Sequence, residues 1–184
     1  AGADLDGPTA LVRLREPRDY AARRSAVVPA GMAFPMSAMN LCLHRRAMPA
    51  AYQLLMGLER YGLDRFDDIW SGLLLKRVAD HQGWCVTSGA PLVRHERRSD
   101  PFANVRKEAL GIQLHEYFWD YVLDAPLPPG LDVFGAYEAL ATHVARFPES
   151  FPALPAQDAY FPRLGEAMRA WAALLRRTQP PGSV

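Results

Sequence analysis

Apolar positions along this chain fall into a few strongly periodic stretches separated by proline- and glycine-rich breaks. The clearest places Phe66, Ile69, Trp70, Leu73, Leu74 and Val78 at i, i+3, i+4, i+7, i+8 and i+12, one continuous face of a helix. Asp64, Asp67 and Asp68 sit at or before its first turn, where the helix dipole favours negative charge, and Gly83 ends it. Pro101 opens a second helical stretch in which Leu110, Leu114, Tyr117, Phe118 and Tyr121 share one face. After a stiff linker at 125–130, Val133, Tyr137, Leu140, Val144 and Phe147 repeat at alternating four- and three-residue steps. Phe161, Leu164, Met168, Trp171 and Leu175 do the same beyond a second proline-rich linker, and these last three helices are expected to form a helical cap.

The remaining elements are shorter. Residues 1–35 read as a loop-rich lead-in broken by Gly7-Pro8, Pro17, Pro29 and Pro35, with a short strand at 25–29. The apolar run 36–43 predicts a buried strand, and a helix is expected over 48–61, closing at Gly62. Beyond Gly83, residues 84–87 and 92–95 read as two short strands. The fold class is therefore α/β, with short strands and helices over 1–124 and a helical extension over 125–184.

Composition narrows the function classes. At 184 residues and 49% apolar, the chain can bury a real core. Lys plus Arg total 21 against 20 acids, a net charge of +1, so there is no basic footprint for nucleic acid or an anionic membrane. Lys76 and Lys107 are the only lysines, an arginine bias expected of a GC-rich, bacterial coding sequence. Cys42 and Cys85 lie far apart without a CxxC pattern, which argues against a thiolate zinc site and predicts two reduced core cysteines. No apolar run reaches the roughly 20 residues of a membrane span, and no secretory pattern opens the chain, so a cytoplasmic protein is expected. The chain begins Ala1-Gly2 without methionine, as the remainder of something longer would.

Three groups of residues could carry chemistry. Adjacent carboxylates such as Asp67 and Asp68 can bind a divalent cation or supply a general base, although helix capping and dipole compensation explain acids in a first turn without any function. His95, at a predicted strand end, could ligate a metal or move a proton, where the bland alternative is an exposed loop histidine. Arg94, Arg97 and Arg98, followed by Arg106 and Lys107, suit a diphosphate, partly neutralised by Glu96 and Asp100. His44, His81, His115 and His143 have no partners at metal-ligand spacing and read as structural. No phosphate-loop, dinucleotide, GxSxG or HExxH motif is present.

The order of elements, with an acidic pair at a helix start and a histidine after the next strands, resembles the second half of a GT-A nucleotide-sugar glycosyltransferase. Three ordered blocks make the likeness closer: Phe34-Pro35-Met36-Ser37-Ala38-Met39-Asn40-Leu41, then Arg65-Phe66-Asp67-Asp68-Ile69-Trp70-Ser71-Gly72, then the stretch from His95 through Ser99, Asp100, Pro101, Asn104 and Lys107 to Glu108. They resemble the reversibly glycosylated polypeptide family, the UDP-arabinopyranose mutases, over about residues 4–122 and weakly again in the last helix. Ala38, Arg97 and Asp100 depart from that pattern. The resemblance implies a UDP-sugar substrate and a divalent metal, Mn²⁺ or Mg²⁺, with His95 as a metal ligand. It also implies Asp67 and Asp68 as the catalytic pair, and Asn40, Arg97, Ser99, Asn104 and Lys107 as substrate contacts. The family's nucleotide-binding half precedes the segment that matches Ala1, so activity is expected to need that half or a partner chain, and an oligomer fits the same picture. The alternative is a non-catalytic binding or scaffold module derived from the same fold.

Overall fold

The computed structural model describes residues 25–36, 38–89, 100–155 and 159–178. A helix over Asp67–His81 (α1) forms the centre. Its stop is a Schellman turn: Gly83 takes φ 66°, the Trp84 amide donates to the Ala79 carbonyl at 2.8 Å, and the Gly83 amide donates to Asp80 at 3.1 Å. The predicted stripe is only part of what α1 buries, because residues 70–76 are buried without a break. Chain crosses it on the side that the stripe leaves polar. At Gly72 an added Cβ would stand 2.2 Å from the Met36 amide nitrogen, so only a glycine lets that backbone lie directly on the helix.

One turn further along α1, Lys76 is fully buried yet satisfied. Its Nζ donates to Asp80 at 2.6 Å and to the Pro29 carbonyl at 3.0 Å. Asp80 also accepts from the Gly31 amide at 3.0 Å. The node clips the turn after strand β1 (Ala26–Val28) onto the helix. β1 pairs antiparallel with β2 (Val86–Ser88), with Ala26 opposite Ser88 and Val28 opposite Val86.

Pro101–Leu123 forms α2, whose N-cap Asp100 accepts from the Phe102 amide at 3.0 Å while Pro101 occupies the first turn. Asp132 caps α3 (Val133–Ala145) through the Gly135 amide at 2.7 Å. A short α4 (Phe147–Ser150) follows, and Tyr160–Thr178 forms α5. The periodic apolar positions of α3 and α5 are buried or half-buried as expected. Trp70, Phe118, Phe147 and Phe161 meet at the centre: Trp70 lies 4.5 Å from Phe118 and Phe147 lies 4.5 Å from Phe161, centroid to centroid. A single cluster of buried residues runs from Met36 to Ala172 and includes both sides of the 125–130 linker. The described residues are thus mostly helical with a small two-stranded ribbon, and among them no helix is long and apolar enough to cross a membrane.

Several expectations need correction. Residues 48–61 are not an α-helix: a 3₁₀ helix covers Arg45–Ala50, irregular chain follows, and a 3₁₀ turn spans Glu59–Tyr61. Pro49 removes an amide donor and Gly57 takes φ 75°, so the stretch buries Ala47, Ala50, Leu54 and Tyr61 without a repeating backbone. The run 36–43 holds a 3₁₀ turn at Ala38–Asn40 rather than a strand. Cys42 and Cys85 are free but exposed, not core. Tyr117, placed on the buried face of α2, is 45% exposed. The predicted strand at 92–95 lies outside the described residues.

Candidate functional site

The second and third sequence blocks, far apart along the chain, meet through side chains at the entry of α1. Arg65 Nε donates to Glu108 Oε1 at 2.8 Å. Phe66 packs on Gly111, whose absent Cβ would sit 2.4 Å from its ring. Trp70 Nε1 donates to His115 Nδ1 at 3.1 Å. These contacts climb α1 and α2 in the same order, so both helices run the same way and their N-termini share one end of the molecule. The first block joins them where Met36 crosses Gly72, one turn beyond Asp68 on the same helix face.

Asp67 and Asp68 occupy the first turn of α1 and are half-buried. They are not the cap: Phe66 holds that position and makes no side-chain cap bond. Asp68 Oδ1 accepts from the neighbouring Ile69 amide at 2.9 Å. The Asp68 carboxylate thus satisfies a first-turn amide without being the cap residue, and that bond, dipole compensation and chemistry all remain as reasons for the pair. Ser71, one turn on, donates its hydroxyl to the Asp68 carbonyl at 3.1 Å and meets Gln53 at 3.5 Å.

On α2, Asn104 and Glu108 are buried and Lys107 is exposed, 3.5 Å from Asp64 in an ion pair. Asn40 is exposed at the end of its 3₁₀ turn. His95, Arg97 and Ser99 lie outside the described residues, as do Arg94 and Arg98. Among the described residues no group of three or more His, Cys, Asp or Glu side chains could hold a metal ion, so those residues alone do not make the implied metal site.

Tyrosines line the side facing α5. Tyr160 is fully buried, edge-on to Tyr61 at 5.4 Å, and its hydroxyl has no hydrogen-bond partner. Burial pushes that hydroxyl well above its ordinary pKa, and the negative charge of Asp67 pushes it further. His115, accepting from Trp70, is held below the usual histidine range by burial. Sequence reasoning passed over Arg65, Glu108, Gly72, Gly111 and Tyr160. All but Gly111 and Tyr160 stand inside the three quoted blocks, but an ion pair spanning 43 residues leaves no periodic signal.

Comparisons with known proteins identify the family. The model of the reversibly glycosylated polypeptide family matches residues 1–180. A Solanum tuberosum protein described as a probable UDP-arabinopyranose mutase 2 is 34% identical over 181 residues, 97% of this chain and 48% of its own length. UDP-arabinopyranose mutase 1 of Oryza sativa is 35% identical over 170 residues, 91% of this chain and 45% of its own. UDP-arabinopyranose mutase 1 of Arabidopsis thaliana is 33% identical over 180 residues, 97% and 48% of the two lengths. The chain therefore spans about half the length of the curated relatives it matches. It belongs to the reversibly glycosylated polypeptide family.

Proposed function

We propose that this chain forms part of a UDP-sugar-utilising enzyme of the UDP-arabinopyranose mutase type, or of a closely related glycosyltransferase. The observation that carries the reading is the meeting of the three family-like blocks at the entry of α1, where Gly72 seats Met36, Arg65 pairs with Glu108, and Lys107 pairs with Asp64. In this reading residues 1–124 are the acceptor-side half of a GT-A-like domain and residues 125–184 its helical extension. The phosphate contacts then come largely from outside the described residues.

Asp68 takes the role of general base and Asp67 sits beside it. A carboxylate in the first turn of a buried helix is fixed in place, so it can accept a proton from a sugar hydroxyl held against it. Asn104, Lys107 and Asn40 supply donors for sugar or phosphate oxygens, and Arg97 and Ser99, which precede α2 in sequence, are assigned to the same substrate. The cation implied by the family, Mn²⁺ or Mg²⁺, supplies charge neutralisation for a departing diphosphate when bound, and His95 is the ligand proposed from this chain.

The test is direct. Protein expressed from its whole coding frame is incubated with UDP-arabinopyranose, and the anomeric proton signals of the pyranose and furanose forms are followed by NMR. Interconversion supports the reading. If neither furanose nor free UDP appears, the proposed activity is wrong.

A further inference from the structure

Arg65 is held in a manner its ion pair alone does not require. Its backbone takes φ 68°, alone among the described non-glycine residues in the left-handed region, a conformation that costs a residue bearing a Cβ. Glycine or asparagine would make this turn more cheaply, so the position carries its arginine against a backbone penalty. The side chain is also only partly used. Nε donates to Glu108 Oε1 at 2.8 Å, and the Glu108 side chain is 4% exposed while that of Arg65 is 36% exposed. The two terminal nitrogens of Arg65 have no partner among the described residues.

A guanidinium tethered through Nε to a buried carboxylate keeps its outer edge free, and that edge carries parallel N–H donors spaced for two oxygens of one phosphoryl group. Lys107, adjacent to Glu108 in sequence and paired with Asp64, adds a second positive charge beside it. Asp64 and Glu108 are each countered by one of these cations, whereas Asp67 and Asp68 lie on the following turn and limit how far an anion can reach along α1.

Resting on the reading that a UDP-sugar is the substrate, we propose that the outer edge of Arg65 binds a phosphoryl group of the diphosphate and that Glu108 is the positioning residue that aims it. Lys107 strengthens the same contact by charge alone.

The experiment is isothermal titration of the 184-residue chain with pyrophosphate, UDP and uridine, at fixed Mg²⁺. Arg65→Gln takes the Arg65 charge away from buried Glu108, so the double variant Arg65→Gln/Glu108→Gln, which removes both charges, is measured beside it as the control for folding. The expected result is that the parent chain binds pyrophosphate and UDP, and that both variants lose roughly 10- to 100-fold of that affinity, the worth of a charge-assisted bidentate contact. Glu108→Gln alone should lose less, because the charge stays while its aim is lost. Parent-like pyrophosphate affinity in the double variant, or no pyrophosphate binding by the parent chain, overturns the assignment. Arg65-dependent pyrophosphate binding by the 184-residue chain, with no UDP-sugar turnover in protein from the whole coding frame, upholds the Arg65 site and counts against the UDP-sugar reading instead.

Discussion

At the scale of single residues, the site rests on groups whose satisfaction differs sharply. A buried hydroxyl without a partner costs about 1–3 kcal/mol, and Tyr160 carries such a hydroxyl in the field of Asp67. Tyr160→Phe should therefore leave the thermal unfolding midpoint unchanged or raise it, and a clear drop would mean the hydroxyl is bonded after all. His115 makes the opposite case. Its Nδ1 accepts from Trp70, so protonation there would replace an acceptor with a second donor. Burial lowers its folded pKa below the ordinary 6.5, and the same holds for His143, which is stacked on Tyr121. The unfolded chain thus takes up these protons first. Stability is complete above pH of about 6.5 and falls as pH drops below it toward the lowered folded values. Urea midpoints at pH 7.5 and 5.5 check this: His115→Gln, which keeps an acceptor for Trp70 but cannot titrate, should show a smaller fall than the parent. Of these residues, the Asp pair was legible in sequence because acids before an apolar stripe stand out. Tyr160 and Arg65 were not, since a hydroxyl's missing partner and a backbone angle leave no mark on the pattern.

At the scale of elements, α1, α2, α3 and α5 were readable because buried apolar residues recur at the helical period and their ends carry turn chemistry, as Gly83 and Asp100 show. The first two turns of α2 carry no such period, since they bury Asn104 and Glu108, neither of them large and apolar, and Pro101 alone marked their start. Residues 45–63 escaped it too, since their burial follows Pro49 and two left-handed glycines rather than a period. The close approaches give a ranked prediction. An Ala at Gly72 would meet the Met36 backbone at 2.2 Å, whereas one at Gly111 would meet the Phe66 ring at 2.4 Å, and a ring can turn where a main chain cannot. Overpacking of this kind costs about 1–3 kcal/mol, against about 1 kcal/mol regained in helix propensity. Gly72→Ala should lower the urea midpoint more than Gly111→Ala, and the reverse order would mean that Met36 is not fixed on α1. Lys76→Met should be worse than either, by about 3–5 kcal/mol, because it strands Asp80 and the Pro29 carbonyl against the helix.

At the scale of the whole molecule, one core cluster joins residues from Met36 to Ala172, while the chain spans about half the length of its curated relatives. The family was legible because three ordered blocks keep its pattern apart from Ala38, Arg97 and Asp100, and the geometry adds that their described residues meet in space. Which sugar is handled was not legible, because specificity depends on side-chain contacts that no periodicity encodes. On the proposed division of labour, the 184-residue chain alone should show no turnover of UDP-arabinopyranose even where Arg65 binds a phosphoryl group, and a measurable rate would contradict that division. The central claim, that Asp68 is a base rather than a dipole-compensating acid, is tested most directly by Asp68→Asn in protein from the whole coding frame. Turnover and unfolding midpoint are measured together. Asn cannot take up the proton, so turnover should fall by roughly 10²–10⁴-fold, while stability should change by no more than the ~0.3–1 kcal/mol of a first-turn charge. Parent-like turnover with the same small stability change would return the Asp pair to a purely structural role.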